Sequence, residues 1–189
     1  MNPLKKKIEQ CGVLLGGDVL KVDSFLNHQL DIPLIETIGE CLANHFKNAG
    51  ITKVVTIETG GIAPAYATAR RLGVPVIFLK KSEPRTMRQP LCVQVFSFTK
   101  QKSYNVCMES GLIEPDERVL FIDDFLANGE AFKGAESLIH QAGAHIAGVG
   151  ICIEKRFQAG HQYVVGRGYD FCAVASIAAI ENGTIHWAQ

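Results

Sequence analysis

The chain has 189 residues, 47% apolar and 20% charged, which is the composition of an ordinary globular protein with a real core, at about the length of one domain. Nineteen Lys and Arg balance nineteen Asp and Glu, which argues against disorder and against the uniformly basic surface that duplex nucleic acid or an anionic membrane requires. No apolar run approaches the roughly 18 residues of a membrane span, and the basic start Lys5-Lys6-Lys7 lacks the apolar stretch of a signal peptide.

In chain order, a short helix is predicted at 3–10, within a lead segment reaching about residue 32. Asp31 and Pro33 open a helix with Leu34, Ile35, Ile38, Leu42 and Phe46 at helical spacing, ended by Gly50. Thr52 to Glu58 has the pattern of a buried strand. Thr59-Gly60-Gly61 then turns the chain into a helix reaching about Arg71, and Val74 to Leu79 is a second strand. This order implies a right-handed parallel crossover.

Leu91 to Thr99 and Tyr104 to Met108 are predicted as an antiparallel ribbon around the turn Lys100-Gln101-Lys102-Ser103. The parallel pattern resumes with a strand at Val119–Ile122, a turn at 123–130, a helix at 131–142 ended by Gly143, and a strand at 146–153. Shorter strands follow, with an Asn182-Gly183 turn before Thr184 to Trp187. The expected fold is an open α/β sheet with one β-excursion. The six cysteines (11, 41, 92, 107, 152 and 172) form no Cys-x-x-Cys pair and read as reduced, packed thiols of a cytosolic protein. Neither they nor the six histidines show zinc-ligand spacing.

Ligands of open parallel sheets bind at the carboxyl ends of the strands, and three such ends are unusual here. At the first, the apolar run Val119-Leu120-Phe121-Ile122 leads into Asp123-Asp124, then Phe125-Leu126-Ala127-Asn128-Gly129-Glu130-Ala131. Free N–H groups at the following helix start, with Gly129 permitting close approach, suit a phosphate monoester. Taken alone, the two acids read as a strand end and a helix cap. At the second, Glu58-Thr59-Gly60-Gly61 is a turn able to present N–H groups to an anion. At the third, Lys80-Lys81 is either a pair of mobile cations for a polyanion or a solvated surface pair.

The segment 119–131 resembles the phosphoribosyl-diphosphate (PRPP) motif of type I phosphoribosyltransferases. With Leu20 to Gln29, Val55 to Pro64, Phe96 to Lys100 and Ile153 to Phe157, the chain is similar almost end to end to the bacterial xanthine branch of that family's purine members. The resemblance implies one domain over 1–189: an open, mainly parallel sheet flanked by helices, an antiparallel β-ribbon, a base-recognition segment at 1–32 and a flexible hood at about 82–104. Arg85, Arg88, Lys100 and Lys102 would make that hood basic. It implies transfer of 5-phosphoribosyl from PRPP to xanthine, Mg²⁺ held mainly through PRPP, a homodimer, and a cytoplasmic enzyme without nucleic-acid or membrane partners.

By the same resemblance, Asp123 and Asp124 are the catalytic acids, orienting the ribose hydroxyls directly or through the metal's hydration shell. Ala127, Asn128, Gly129, Glu130 and Ala131 cradle the 5′-phosphate. Thr59, Gly60, Lys80 and Lys81 meet the pyrophosphate, the glycine turn often through a strained peptide in this family. Leu20, Asn27 and Lys155 bind the base, and Phe125 or Phe157 would stack on it. One departure stands out: Ala127 and Ala131 occupy places where the wider family often has threonine hydroxyls. The cradle then relies on main-chain N–H groups, and Glu130 must turn away from the phosphate. Two competing readings are a transferase for guanine, hypoxanthine or adenine, and a PRPP-sensing regulator. The regulator carries an added DNA-binding domain for which this chain has no spare length. Six basic residues against one acid between 80 and 102, and seven acids against one base between 109 and 130, show that the zero net charge conceals strong segregation.

Overall fold

The computed structural model describes residues 2–97 and 101–188. A helix, α1 (Pro3–Cys11), is followed by a small hairpin of β1 (Val13–Leu14) and β2 (Leu20–Lys21), then by one π-helical turn at Asp23–Asn27. Next come α2 (Ile32–Phe46), β3 (Lys53–Ile57), α3 (Ile62–Leu72) and β4 (Val76–Leu79). A ribbon of β5 (Pro90–Ser97) and β6 (Lys102–Glu109) precedes β7 (Arg118–Leu126), α4 (Glu130–Gln141) and β8 (His145–Lys155). The chain closes with α5 (Ala159–Gly166), β9 (Phe171–Glu181) and β10 (Thr184–Trp187).

The central sheet has the order β10-β9-β8-β7-β3-β4, parallel throughout except for β10. Its strands are apolar on both faces because both faces are covered. Val54, Leu120 and Ile122 point to one side, against Ile38, Leu42 and Phe46 of α2 and Ala67 of α3. Val55, Val119 and Phe121, one residue out of step, point to the other, against Phe132, Leu138 and Ile139 of α4 and the ribbon's Val95 and Val106. The period-2 alternation of a strand thus feeds two separate cores. Asp31 starts α2 as expected: its Oδ1 accepts from the Leu34 N–H at 3.2 Å.

Chain order along the sheet puts the reversal between β3 and β7. From β3 the chain steps outward to β4; from β7 it steps the other way to β8 and β9. This is the switch point at which open α/β sheets bind ligands.

Four expectations need correction. The predicted turn at 123–130 is still strand as far as Leu126, because β8 is itself long enough to pair through Asp123↔Ile151, Phe125↔Ile153 and Leu126↔Glu154. After residue 155 the chain forms a helix, α5, and the 11-residue strand β9, not only shorter strands. Two of the six cysteines, Cys92 and Cys107, are joined in a disulfide and are not reduced thiols. They are directly opposed in the ribbon with Cα atoms 4.2 Å apart. Cys107 exchanges both backbone hydrogen bonds with Lys80 instead of with Cys92, so the pair occupies the close, non-hydrogen-bonded register of an antiparallel ladder. Cys11, Cys41, Cys152 and Cys172 remain free. The antiparallel ribbon forms as expected, but Lys102 and Ser103, expected in its turn, are strand residues of β6 paired with Ser97 and Phe96; Phe98, Thr99 and Lys100 lie outside the described residues. The Asn182-Gly183 turn, with φ of 49° and 75°, follows expectation.

Candidate active site

Because β3, β4, β7 and β8 run in parallel, their carboxyl ends share one edge. A cavity of about 250 Å³ opens there, lined by Thr59 and Gly60 after β3, Lys81 after β4, Asp123 and Asp124 of β7, Ala131, and Asn27 from the π-helical turn. A second cavity, of about 160 Å³, shares Asp123 and Ala131 and continues along Ala127, Asn128, Gly129 and Glu130. Most of the predicted PRPP residues therefore line two adjoining hollows at the switch point.

The two acids differ in setting. Asp123 is only 9% exposed. Its carboxyl is pushed well above the usual carboxylate range, first by burial and then by the negative charge of Asp124. Asp124 accepts through Oδ2 from the Asn27 amide at 3.1 Å, which links the N-terminal segment to the acids. Both acids also accept from the next backbone N–H, at 3.0 Å each.

The loop after β3 contains two glycines because the acids pack onto it. A Cβ on Gly60 would lie 2.1 Å from Asp124 Oδ2, and one on Gly61 would lie 2.1 Å from Thr56 Oγ1 and 2.8 Å from Asp123 Oδ1. The Glu58–Thr59 peptide in this loop is cis. Glu58 braces the neighbouring strand end, accepting from the Lys81 N–H at 2.6 Å. It also faces the Lys80 ammonium at 3.6 Å. Lys80 lies over the Phe78 ring at 4.4 Å and is bound through its backbone to Cys107. Of the two strand-end lysines, Lys81 is thus the one that lines the cavity.

Gly129, with φ 85°, opens α4, whose first-turn N–H groups have no partner within the helix. Glu130 is turned to Lys133 at 2.6 Å, so its carboxylate has a cation of its own. The loop is braced from behind by α5: the Gly160 N–H donates to Ala127 C=O at 2.9 Å, and a Cβ there would lie 2.4 Å from the same oxygen. On the far side, Phe96 and Tyr104 of the ribbon close the smaller cavity. Burial, then the charges of Asp123 and Glu130, push the Tyr104 phenol up.

The predicted base residues are less uniformly gathered. Asn27 lines the main cavity, whereas Leu20 is buried in the core beneath the β1–β2 hairpin. Lys155, at the end of β8, has its ammonium 3.8 Å from Asp18 of the hairpin loop. Phe157 is exposed, while Phe125 packs against the core. Sequence reasoning missed Asp18, Gln158 and Gly160, and also Glu154. That carboxylate is buried one residue before Lys155 and accepts from Ser176, with His161 against its other oxygen. A Glu-Lys pair at a strand end in a buried strand was the available signal for Glu154; the others carry none.

Residues 22–169 match the family described as phosphoribosyl transferase domain. The chain is 47% identical to the xanthine phosphoribosyltransferase of Lactobacillus delbrueckii subsp. bulgaricus, over 98% of both chains. It is 49% identical to that of Streptococcus agalactiae, over 100% of this chain and 98% of the relative. Among solved structures, the adenine phosphoribosyltransferase of Rhodothermus marinus matches with a TM-score of 0.75 at 22% identity, over 92% of this chain and 98% of that one. The adenine phosphoribosyltransferase of Trypanosoma brucei, in complex with AMP, pyrophosphate and ribose-5-phosphate, matches with a TM-score of 0.75 at 19% identity, over 92% and 80%. At those identities the structural likeness speaks for the fold alone.

Proposed function

We propose that this chain, which belongs to the phosphoribosyltransferase family, transfers the 5-phosphoribosyl group of PRPP to xanthine, giving xanthosine 5′-monophosphate and pyrophosphate. The observation that carries the chemistry is the juxtaposition at the switch point of Asp123 and Asp124, the N-terminus of α4 and the Gly60-Gly61 loop. The choice of base is supported by full-length relatives named for xanthine and by Lys155. A lysine complements a purine that presents carbonyl oxygens, whereas the amino group of adenine would oppose it, donor against donor.

In this reading a ring nitrogen of the purine attacks the anomeric carbon as the bond to pyrophosphate breaks, and the nitrogen's proton is released. No enzyme nucleophile takes part. The α4 N-terminus binds the 5′-phosphate through main-chain N–H groups, and Asp124 accepts from the ribose hydroxyls, exchanging its Asn27 contact for them. Asp123, buried beside it, is the group with a raised proton affinity at this point. Lys81 and the loop at Thr59-Gly60 hold the pyrophosphate. The ribbon and hood exclude water from an oxocarbenium-like centre that water would otherwise capture.

Among the described residues no three His, Cys, Asp or Glu converge as a metal cage. The pair of carboxylates lining the cavity, Asp123 and Asp124, fits Mg²⁺, which binds through one or two carboxylates together with substrate phosphates; the two acids would hold it through its water shell. When bound, it neutralises charge on the departing pyrophosphate. The reading includes a single domain over 1–189 with a hood at 82–104, a cytoplasmic setting and a homodimer. The exposed Leu30, Ile32 and Tyr66 beside the site support an apolar contact face, and sedimentation velocity tests it. Among the described residues no helix is long and apolar enough to cross a membrane.

Pyrophosphate release with PRPP, Mg²⁺ and a panel of xanthine, guanine, hypoxanthine and adenine tests the assignment. Highest turnover with xanthine is expected; adenine as the best substrate, or no turnover with any base, would overturn it.

A further inference from the structure

The β1–β2 hairpin does more than supply Leu20. Its loop turns at Gly16 and Gly17, with φ of 104° and 56°, and is closed by the Leu15 N–H donating to Val19 C=O at 3.0 Å. This conformation carries Asp18 across to the segment after β8. There Asp18 Oδ2 meets two groups at once: the Lys155 ammonium at 3.8 Å, and the Gln158 side-chain amide, which donates to it. Lys155 is only 12% exposed, whereas Asp18 is 43% exposed. The carboxylate therefore reaches in from the solvent side to a cation that is largely desolvated.

The second half of the Gln158 amide is informative. Its Oε1 is buried and has no hydrogen-bond partner among the described residues. An amide whose NH₂ is bound to a carboxylate cannot turn that NH₂ elsewhere without leaving the carboxylate unpaired. Asp18 thus decides which end of Gln158 is the acceptor. The donor, Lys155, faces the same Asp18 oxygen. A donor and a free acceptor on two side chains held by one carboxylate oxygen match in kind a carbonyl adjacent to a ring N–H, which is the edge shared by xanthine and other 6-oxopurines. The corresponding edge of adenine has the opposite polarity.

We propose that Asp18 is a positioning residue of the base site, holding the Lys155 ammonium and the Gln158 amide in the polarity that reads a carbonyl next to an N–H. The proposal rests on the base assignment made above. It gives the hairpin loop a role in specificity beside that expected of Leu20. Two effects on Lys155 run in opposite directions: burial lowers its proton affinity, and the charge of Asp18 raises it. Removing that charge therefore weakens the cation as well as its placement.

The test compares wild type with Asp18→Asn and Asp18→Glu in steady state, varying xanthine and PRPP separately, with thermal melts of all three proteins. Asn removes the charge and lets Gln158 reverse, so KM for xanthine should rise about tenfold or more, by the scale of a hydrogen bond to a charged group. KM for PRPP and kcat should stay within twofold, and Glu should recover part of the loss. A purely structural hairpin staple would instead lower the melting temperature and change both KM values together, which overturns the proposal. So does an unchanged KM for xanthine in Asp18→Asn. Wild-type turnover of guanine or hypoxanthine but not of xanthine overturns the base assignment alone, and the Asp18 comparison is then decided with that base. Wild-type turnover of adenine alone overturns both.

Discussion

Replacing Gly61 by alanine tests how tightly the pyrophosphate loop is packed onto the acids. The added Cβ would sit 2.1 Å from Thr56 Oγ1, 2.8 Å from Asp123 Oδ1 and 3.3 Å from Asp123 Cα. Ordinary contact begins at roughly 3.4 Å, so the overlap with Thr56 exceeds about 1 Å. Thr56 is fully buried and β-branched, so its χ1 is stiff and any other rotamer drives its methyl or hydroxyl into packed neighbours. The loop must move instead.

Overpacking of this kind costs about 1–3 kcal/mol, or a fall in melting temperature of roughly 2–12 °C for a chain of this size. A displacement of about 1 Å at the acids should lower kcat/KM by about 100-fold. Calorimetry and initial rates check both. Thr56→Ala removes the obstructing atoms, so the double variant should be more stable than the sum of the two single changes by about 1 kcal/mol or more. Wild-type stability and rate in Gly61→Ala, or strict additivity in the double variant, would refute the packing argument.

Asp123→Asn should abolish most turnover yet raise the melting temperature. The folded-state pKa is raised, so the wild-type protein loses stability progressively as pH rises from the ordinary carboxylate value to the folded-state one. The variant's advantage should therefore be larger at pH 8 than at pH 5, as melts at the two values will show. Gly160→Ala pushes a Cβ to 2.4 Å from Ala127 C=O and should raise KM for PRPP with little change in KM for xanthine. Cys92→Ser opens a cross-link spanning 15 residues, which should cost about 3 kcal/mol under oxidising conditions. Melts with and without reductant should show that difference disappearing when the wild type is reduced.

Much of the fold could be read from residue patterns, for physical reasons that also mark where the reading stops. The α2 face at Leu34, Ile35, Ile38, Leu42 and Phe46 is legible because helical periodicity is local and its Asp31 cap is adjacent. The end of β7 is not. A continuous apolar strand gives no signal of where pairing ceases, and that limit was set by the length of β8. Strand β9 (FCAVASIAAIE) is rich in alanine, a weak strand former, and gains its conformation from pairing with β8.

The acids and the α4 loop lie in one contiguous stretch, so their chemistry is visible in the primary structure. The Asp18–Gln158 contact joins residues 140 apart, and the Cys92–Cys107 bridge depends on the ribbon register. Neither has a local signature. The charges segregated along the chain meet in the fold: Lys81 and the two acids line the same cavity.

The most direct test of the account is a crystal structure of the protein with xanthosine 5′-monophosphate, pyrophosphate and Mg²⁺. The account predicts the 5′-phosphate on the main-chain N–H groups of 127–131, the ribose hydroxyls on Asp123 and Asp124, and a purine carbonyl on Lys155. A phosphate bound elsewhere, or a base turned away from Lys155, would contradict it.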